Sequence, residues 1–165
     1  MSLSLIRRHA AALLLAGVAL AAPAVAHADW EWTRWGMTVD SVVAGSAGAV
    51  SRVEGRPGDR VHDFDLKATG EIVRYGIRLN AQFYFDPAGA SLKVIRLSVI
   101  DFADCDRLKQ AVRRDLGAPD SPGSFLEWRN DGRGNYVGVT GVKIGATDGI
   151  CFVRYRPVAD GSGTP

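Results

Sequence analysis

From Ile72 to Phe85 the chain alternates between apolar and polar side chains. Tyr75, Ile77, Leu79, Ala81, Phe83 and Phe85 form one row, and Arg74, Gly76, Arg78, Asn80, Gln82 and Tyr84 form the other. A period of two belongs to a strand with one buried and one solvated face. Asp86-Pro87-Ala88-Gly89-Ala90 supplies turn residues, and Leu92 to Ile100 reads as the returning strand. The stretch from Ile72 to Asp101 is therefore predicted to be a long β-hairpin. On its return, Ile95, Leu97 and Val99 share one parity while Leu92 and Val94 have the other. Either a bulge near Val94-Ile95 or a strand buried on both faces reconciles them.

Around this hairpin the pattern predicts further elements. Thr38 can cap a short helix carrying Val39, Val42 and Val43, ended by Gly45 and Gly48. Residues 51–60 have loop composition, Val61 to Ala68 reads as a strand, and Thr69-Gly70 reads as its turn into the hairpin. Asp101 caps a second helix, from Phe102 or Ala103 to Leu116. Its apolar stripe is Cys105, Leu108, Val112 and Leu116. Asp104 and Asp106 stand in its first turn, Arg113 and Arg114 in its last, and Gly117 and Pro119 end it. Strands follow at Phe125–Arg129, Tyr136–Ile144 and Ile150–Arg156, joined by Gly-containing turns. The predicted fold class is α+β: an antiparallel sheet of about six strands with two helices on one face. The order also reads as a weak tandem repeat of helix-then-three-strands, Thr38–Asp101 and Phe102–Pro157.

Composition changes the picture mainly through the first 28 residues. Arg7, Arg8 and His9 precede an apolar run from Ala10 to Ala22, Pro23 breaks the run, and Ala26-His27-Ala28 fits a small-x-small cleavage rule. The run is short for a membrane span, which disfavours an uncleaved anchor. Ile6 and Ala10 fit the twin-arginine pattern poorly. A signal peptide over 1–28, a single domain over 29–157 and a flexible tail over 158–165 are expected, in the periplasm or outside the cell. The membrane would then be met only through the signal before cleavage. The full chain has 20 Lys and Arg against 18 Asp and Glu. Cleavage removes Arg7 and Arg8 and leaves a formally neutral domain, without the electrostatic footprint of a nucleic-acid binder. Export to an oxidising compartment predicts a Cys105–Cys151 disulfide that staples the second helix to a strand. The alternative is two buried free thiols.

Candidate chemistry is sparse, and no cofactor is expected. His62 is the sole histidine beyond the leader, since His9 and His27 precede the cleavage site. On an extended strand it would face away from Asp63 and Asp65, so the three make no local triad, and they lack the spacing of a calcium loop. Asp101, Asp104 and Asp106 are explained by helix capping. No nucleophile elbow or phosphate loop occurs. Two binding surfaces remain. One is the polar hairpin row of Arg74, Arg78, Asn80, Gln82 and Tyr84, with Arg96 and Ser98 across from it, suited to an anionic or peptide partner. The other is Trp30 and Trp32, with Trp128, as a stacking platform for a cell-wall glycan, although such rings contribute buried area first and the favoured reading is that they cover an end of the core. A hydrolase whose residues come together from distant positions is the third reading.

Trp35-Gly36-Met37-Thr38 followed by Val39-Asp40-Ser41-Val42-Val43 resembles the opening of many small secreted bacterial proteins. So does the later series of Phe83-Tyr84-Phe85, Leu97, Cys105 with Leu108, Leu116-Gly117-Ala118-Pro119, Trp128, and Cys151 with Tyr155. Those helix-then-strands units are similar to the tandem modules of β-lactamase-inhibitor-like proteins and of the small lipoprotein of the outer-membrane barrel assembly machinery. The chain lacks that lipoprotein's lipid-anchor Cys. The resemblance implies a secreted protein- or peptide-binding module of the cell envelope and carries over no catalytic residue.

Overall fold

The computed structural model describes residues 30–55, 59–121, 123, 125–129 and 133–158. The predicted leader, its cleavage site and the tail from residue 159 onward lie outside the described residues. The fold is α+β. Helix α1 (Val39–Gly45) is followed by strands β1 (Ser51–Arg52), β2 (Arg60–Val61), β3 (Phe64–Arg74), β4 (Ile77–Phe85) and β5 (Leu92–Val99). A 3-10 turn at Phe102–Asp104 leads into α2 (Cys105–Leu116), then β6 (Phe125–Trp128), β7 (Asn135–Lys143) and β8 (Gly149–Pro157). The strands form one antiparallel, open sheet of eight in the order β1-β3-β4-β5-β8-β7-β6, with β2 paired to β3. About six strands were expected. The added pair, β1 and β2, comes from the stretch read as loop and strand start, where two-residue strands leave no periodicity to detect.

The first hairpin is set differently from the sequence reading. Ile72, Val73 and Arg74 finish β3, and the chain reverses at Tyr75-Gly76, whose φ values are 56° and 70°. Positive φ at both central residues is the two-residue hairpin turn whose twist matches the strands. Thr69-Gly70 is not a turn but the middle of β3, paired to Gln82 and Ala81. Gly70 is required for another reason: a Cβ there would collide with the Ala49 carbonyl oxygen. The backbone after α1 crosses the strand too closely for any side chain.

Two bulges resolve the parity conflict. The β3–β4 register shifts between Leu66 and Ala68, and the β4–β5 register shifts where Phe85 pairs with Leu92 and Tyr84 with Val94. The second bulge lies one step before Val94-Ile95. It turns Leu92 to the helix side and leaves Val94 on the opposite face. Ile77, Leu79, Ala81, Phe83 and Phe85 of β4 join Leu97, Val137, Val139, Val153 and both helices in a single buried core. Leu66, Tyr84 and Val94 form a small second cluster on the other face, covered by Val53, Val61 and Phe64.

Both helices follow their sequence signals. The Thr38 hydroxyl accepts from Ser41 N–H, Asp101 accepts from Ala103 N–H, and Gly117 ends α2 with φ 79°. Cys105, Leu108, Ala111 and Val112 are the buried stripe of α2. Cys105 and Cys151 are joined as a disulfide, Cα atoms 5.7 Å apart, which ties the start of α2 to β8. Gly141 faces Cys151 across the β7–β8 ladder, and a Cβ on it would lie 2.7 Å from Cys105 Sγ. The missing side chain is what lets the bridge lie flat on the sheet. Because the bridge closes a loop of 46 residues, Cys105→Ala/Cys151→Ala is expected to lose about 4 kcal/mol in urea unfolding. A loss below about 1 kcal/mol would show that the staple does not hold the helix.

Candidate functional site

The face of the sheet opposite the helices is where the polar hairpin row emerges. Cross-strand register assembles it into bands that run over most of the sheet. One band is Thr69, Gln82, Arg96, Arg154, Gly138 and Glu127. The next is Glu71, Asn80, Ser98, Phe152, Thr140 and Phe125. Directly opposed side chains on one face are separated by about 5 Å at Cβ. Arg96 and Arg154 are such a pair, opposed in register at the junction of β5 and β8.

Arg96 is held in place. Its Nε donates to Gln82 Oε1 at 2.7 Å, and its guanidinium lies 5.4 Å from the Tyr84 ring centroid and 5.6 Å from that of Phe152. These contacts fix the group in place. Among the described residues, Arg154 Nε is buried and has no hydrogen-bond partner. Arg156 stacks 4.0 Å over the Tyr136 ring, and Arg78 is exposed. Against these four arginines the same face sets Glu71 and Glu127, one towards each margin. Val73, Phe125, Val142 and Ile150 are large apolar side chains exposed on this face, and Val142 pairs directly with Ile150. A positive centre thus adjoins an apolar margin along β6, β7 and β8.

Five of the expected site residues, Arg74, Tyr84, Trp30, Trp32 and Trp128, are placed otherwise than expected. Arg74 belongs to the helix side: it ends β3 opposite the buried Ile77, because the turn at Tyr75-Gly76 falls between it and Arg78. Tyr84 lies on the outer face but is 1% exposed beneath the second cluster, so it supports Arg96 and does not meet solvent. Burial raises its phenol above the ordinary value, against the lowering effect of Arg96. Trp30 is 1% exposed, packed 5.0 Å from Trp32 and 5.8 Å from Phe83 between ring centroids. Trp128 is buried, and the Trp32 indole is half-buried and donates to the Val42 carbonyl at 3.0 Å. The tryptophans therefore serve the core and offer no open platform. Arg78, Asn80, Gln82, Arg96 and Ser98 do share the outer face, as read from the sequence.

The sequence reading missed Arg154, Phe152 and Ile150. Their alternation with Cys151, Val153 and Tyr155 was visible as a period of two, but the neighbour of β8 was not. His62 is in the β2–β3 turn with φ 54°, not on an extended strand; Asp63 shares that turn, while Asp65 lies in β3 opposite Arg60. Among the described residues, no three His, Cys, Asp or Glu stand close enough to hold a metal ion.

At the other end of the molecule, Tyr75 donates its hydroxyl to Asp115 Oδ2 at 2.5 Å. Burial, and then this hydrogen bond, raise the Tyr75 phenol above 10.0. The folded state holds that proton more tightly than the unfolded chain. Its stabilisation is whole below pH 10 and is lost as pH rises through the folded-state value.

Protein-family models, curated proteins and solved structures give no match to this chain. The site must therefore be read from its own geometry. Trp30→Ala is expected to cost about 3–5 kcal/mol in urea unfolding, as for a buried ring. A stability within about 0.5 kcal/mol of wild type would return Trp30 to the surface.

Proposed function

We propose that this chain is a non-catalytic binding module of the bacterial cell envelope, taking an acidic protein or peptide segment on its outer sheet face. The observation that carries the reading is the opposed pair Arg96 and Arg154. Like charges directly opposite on a sheet are destabilising. Arg96 is nonetheless braced by Gln82, Tyr84 and Phe152, and a guanidinium held in place is suited to a carboxylate partner. The apolar margin of Phe125, Val142 and Ile150 would take flanking side chains. A periplasmic or secreted location is supported by the leader-like opening and by the disulfide, which suits an oxidising compartment. Two helix-led meanders, α1 with β3-β4-β5 and α2 with β6-β7-β8, support the reading of an internal duplication. They also support, by fold analogy alone, kinship with the helix-then-strands binding modules.

The glycan alternative loses its platform with the burial of Trp30 and Trp128. The test is an array of short peptides, acidic and basic, each with and without aromatic residues. Acidic members with an aromatic neighbour are expected to bind best, and Arg154→Glu or Arg78→Glu to weaken them roughly tenfold. Equal retention of acidic and basic peptides, or full binding by Arg154→Glu, would remove the outer face from consideration.

A further inference from the structure

A second cationic site stands on the helix side, at the end of the sheet beneath the last turn of α2. It is a cleft of about 440 Å³ lined by Arg74, Tyr75, Arg114, Asp115, Leu116, Arg133 and Tyr155. Its size is that of a small-ligand site. Three guanidinium groups come from three separate elements: the end of β3, the last turn of α2 and the segment before β7. Asp115 is the one carboxylate of the lining, and it is already engaged. It accepts the Tyr75 hydroxyl and lies 4.0 Å from Arg74 Nη2. The lining thus sets three guanidinium groups against one carboxylate. The C-terminus of α2 adds partial negative charge, which Arg113 and Arg114 in its last turn offset.

Arg74 is the informative member. Its side chain is 21% exposed. Its guanidinium is fixed 5.0 Å from the Tyr75 ring centroid and 6.0 Å from that of Trp30. Among the described residues, its Nη1 is buried without a hydrogen-bond partner. A buried charged donor left unsatisfied is costly, and a stacked guanidinium cannot swing out to water to relieve it. A guanidinium held in place at the wall of a cleft is suited to an oxyanion. Guanidinium forks match phosphate oxygens, and three of them line this cleft.

We propose that this cleft binds the phosphate group of a small polar ligand, with Arg74 as the buried anchor and Arg114 and Arg133 closing from the rim. The site is independent of the outer face, because Arg74 and Tyr155 share the helix-side parity of the sheet. A soluble phosphate ester and a phospholipid headgroup present the same chemistry, and the experiment separates them.

The full mature chain is melted in rising inorganic phosphate, with ionic strength held constant by potassium chloride. A saturable rise in Tm is expected in wild type and in Arg78→Glu. Arg114→Glu, a change at an exposed rim position, is expected to weaken the response roughly tenfold, and Arg74→Gln by at least as much. Arg114→Glu keeps the test decisive should Arg74→Gln fold poorly. Co-sedimentation with phosphatidylglycerol vesicles but not phosphatidylcholine vesicles, lost in Arg114→Glu, would assign the phosphate to a lipid. A phosphate response without vesicle binding would assign it to a soluble ester. No Tm rise beyond the chloride control, or an Arg114→Glu response equal to wild type, overturns the proposal.

Discussion

Four residue pairs between β5 and β8 hold the two halves of the sheet together. Everything else in the molecule depends on that seam. Towards the helices it opposes Ile95 to Tyr155 and Leu97 to Val153, all buried in the main core. Towards solvent it opposes Arg96 to Arg154 and Ser98 to Phe152. The inner pairs are favourable and the outer arginine pair is not, so the seam joins at a cost set by its own surface. The Cys105–Cys151 bridge fastens α2 over β8 beside it. The core pins the sheet from one side only, and the other side is left to carry charge.

That asymmetry explains the placement of polar groups. A sheet with helices on one face needs an alternating pattern, and β4 supplies it with Ile77, Leu79, Ala81 and Phe83 inward and Arg78, Asn80 and Gln82 outward. Solvated positions are satisfied by many residue types. The outer choices here exceed solubility, since Arg96 is braced by two rings and an amide. Where the outer face is closed, at Leu66, Tyr84 and Val94, two bulges bring consecutive apolar residues to opposite sides. The strand ends there are buried twice, which is why Tyr84 left the binding surface for the core.

Legibility in the sequence followed the range of the interaction. The caps Thr38 and Asp101, the stripe of α2, the stop at Gly117 and the disulfide were readable because each is a local signal or a choice between two cysteines. The turn at Tyr75-Gly76 was hidden inside an unbroken alternation, and a plausible Thr69-Gly70 drew the reversal to the wrong place. Gly70 marks a close approach of Ala49, and nothing local distinguishes that demand from a turn. The outer row was half visible. Arg96 and Gln82 were in reach of hairpin reasoning, whereas Arg154 needed the long-range pairing of β5 with β8. The cleft was invisible for the same reason: Arg74, Arg114 and Arg133 come from three elements.

The central claim is that the arginine pair on the seam is kept at the expense of stability. A double-mutant cycle with Arg96→Gln, Arg154→Gln and the double variant measures it most directly, by urea unfolding at low ionic strength. The account predicts an unfavourable coupling of about 0.2–1 kcal/mol between the two guanidinium groups, shrinking as salt is added. It also predicts that Arg154→Gln is at least as stable as wild type. A favourable coupling, or a clear loss of stability in Arg154→Gln, would contradict it and make Arg154 a structural residue of the seam.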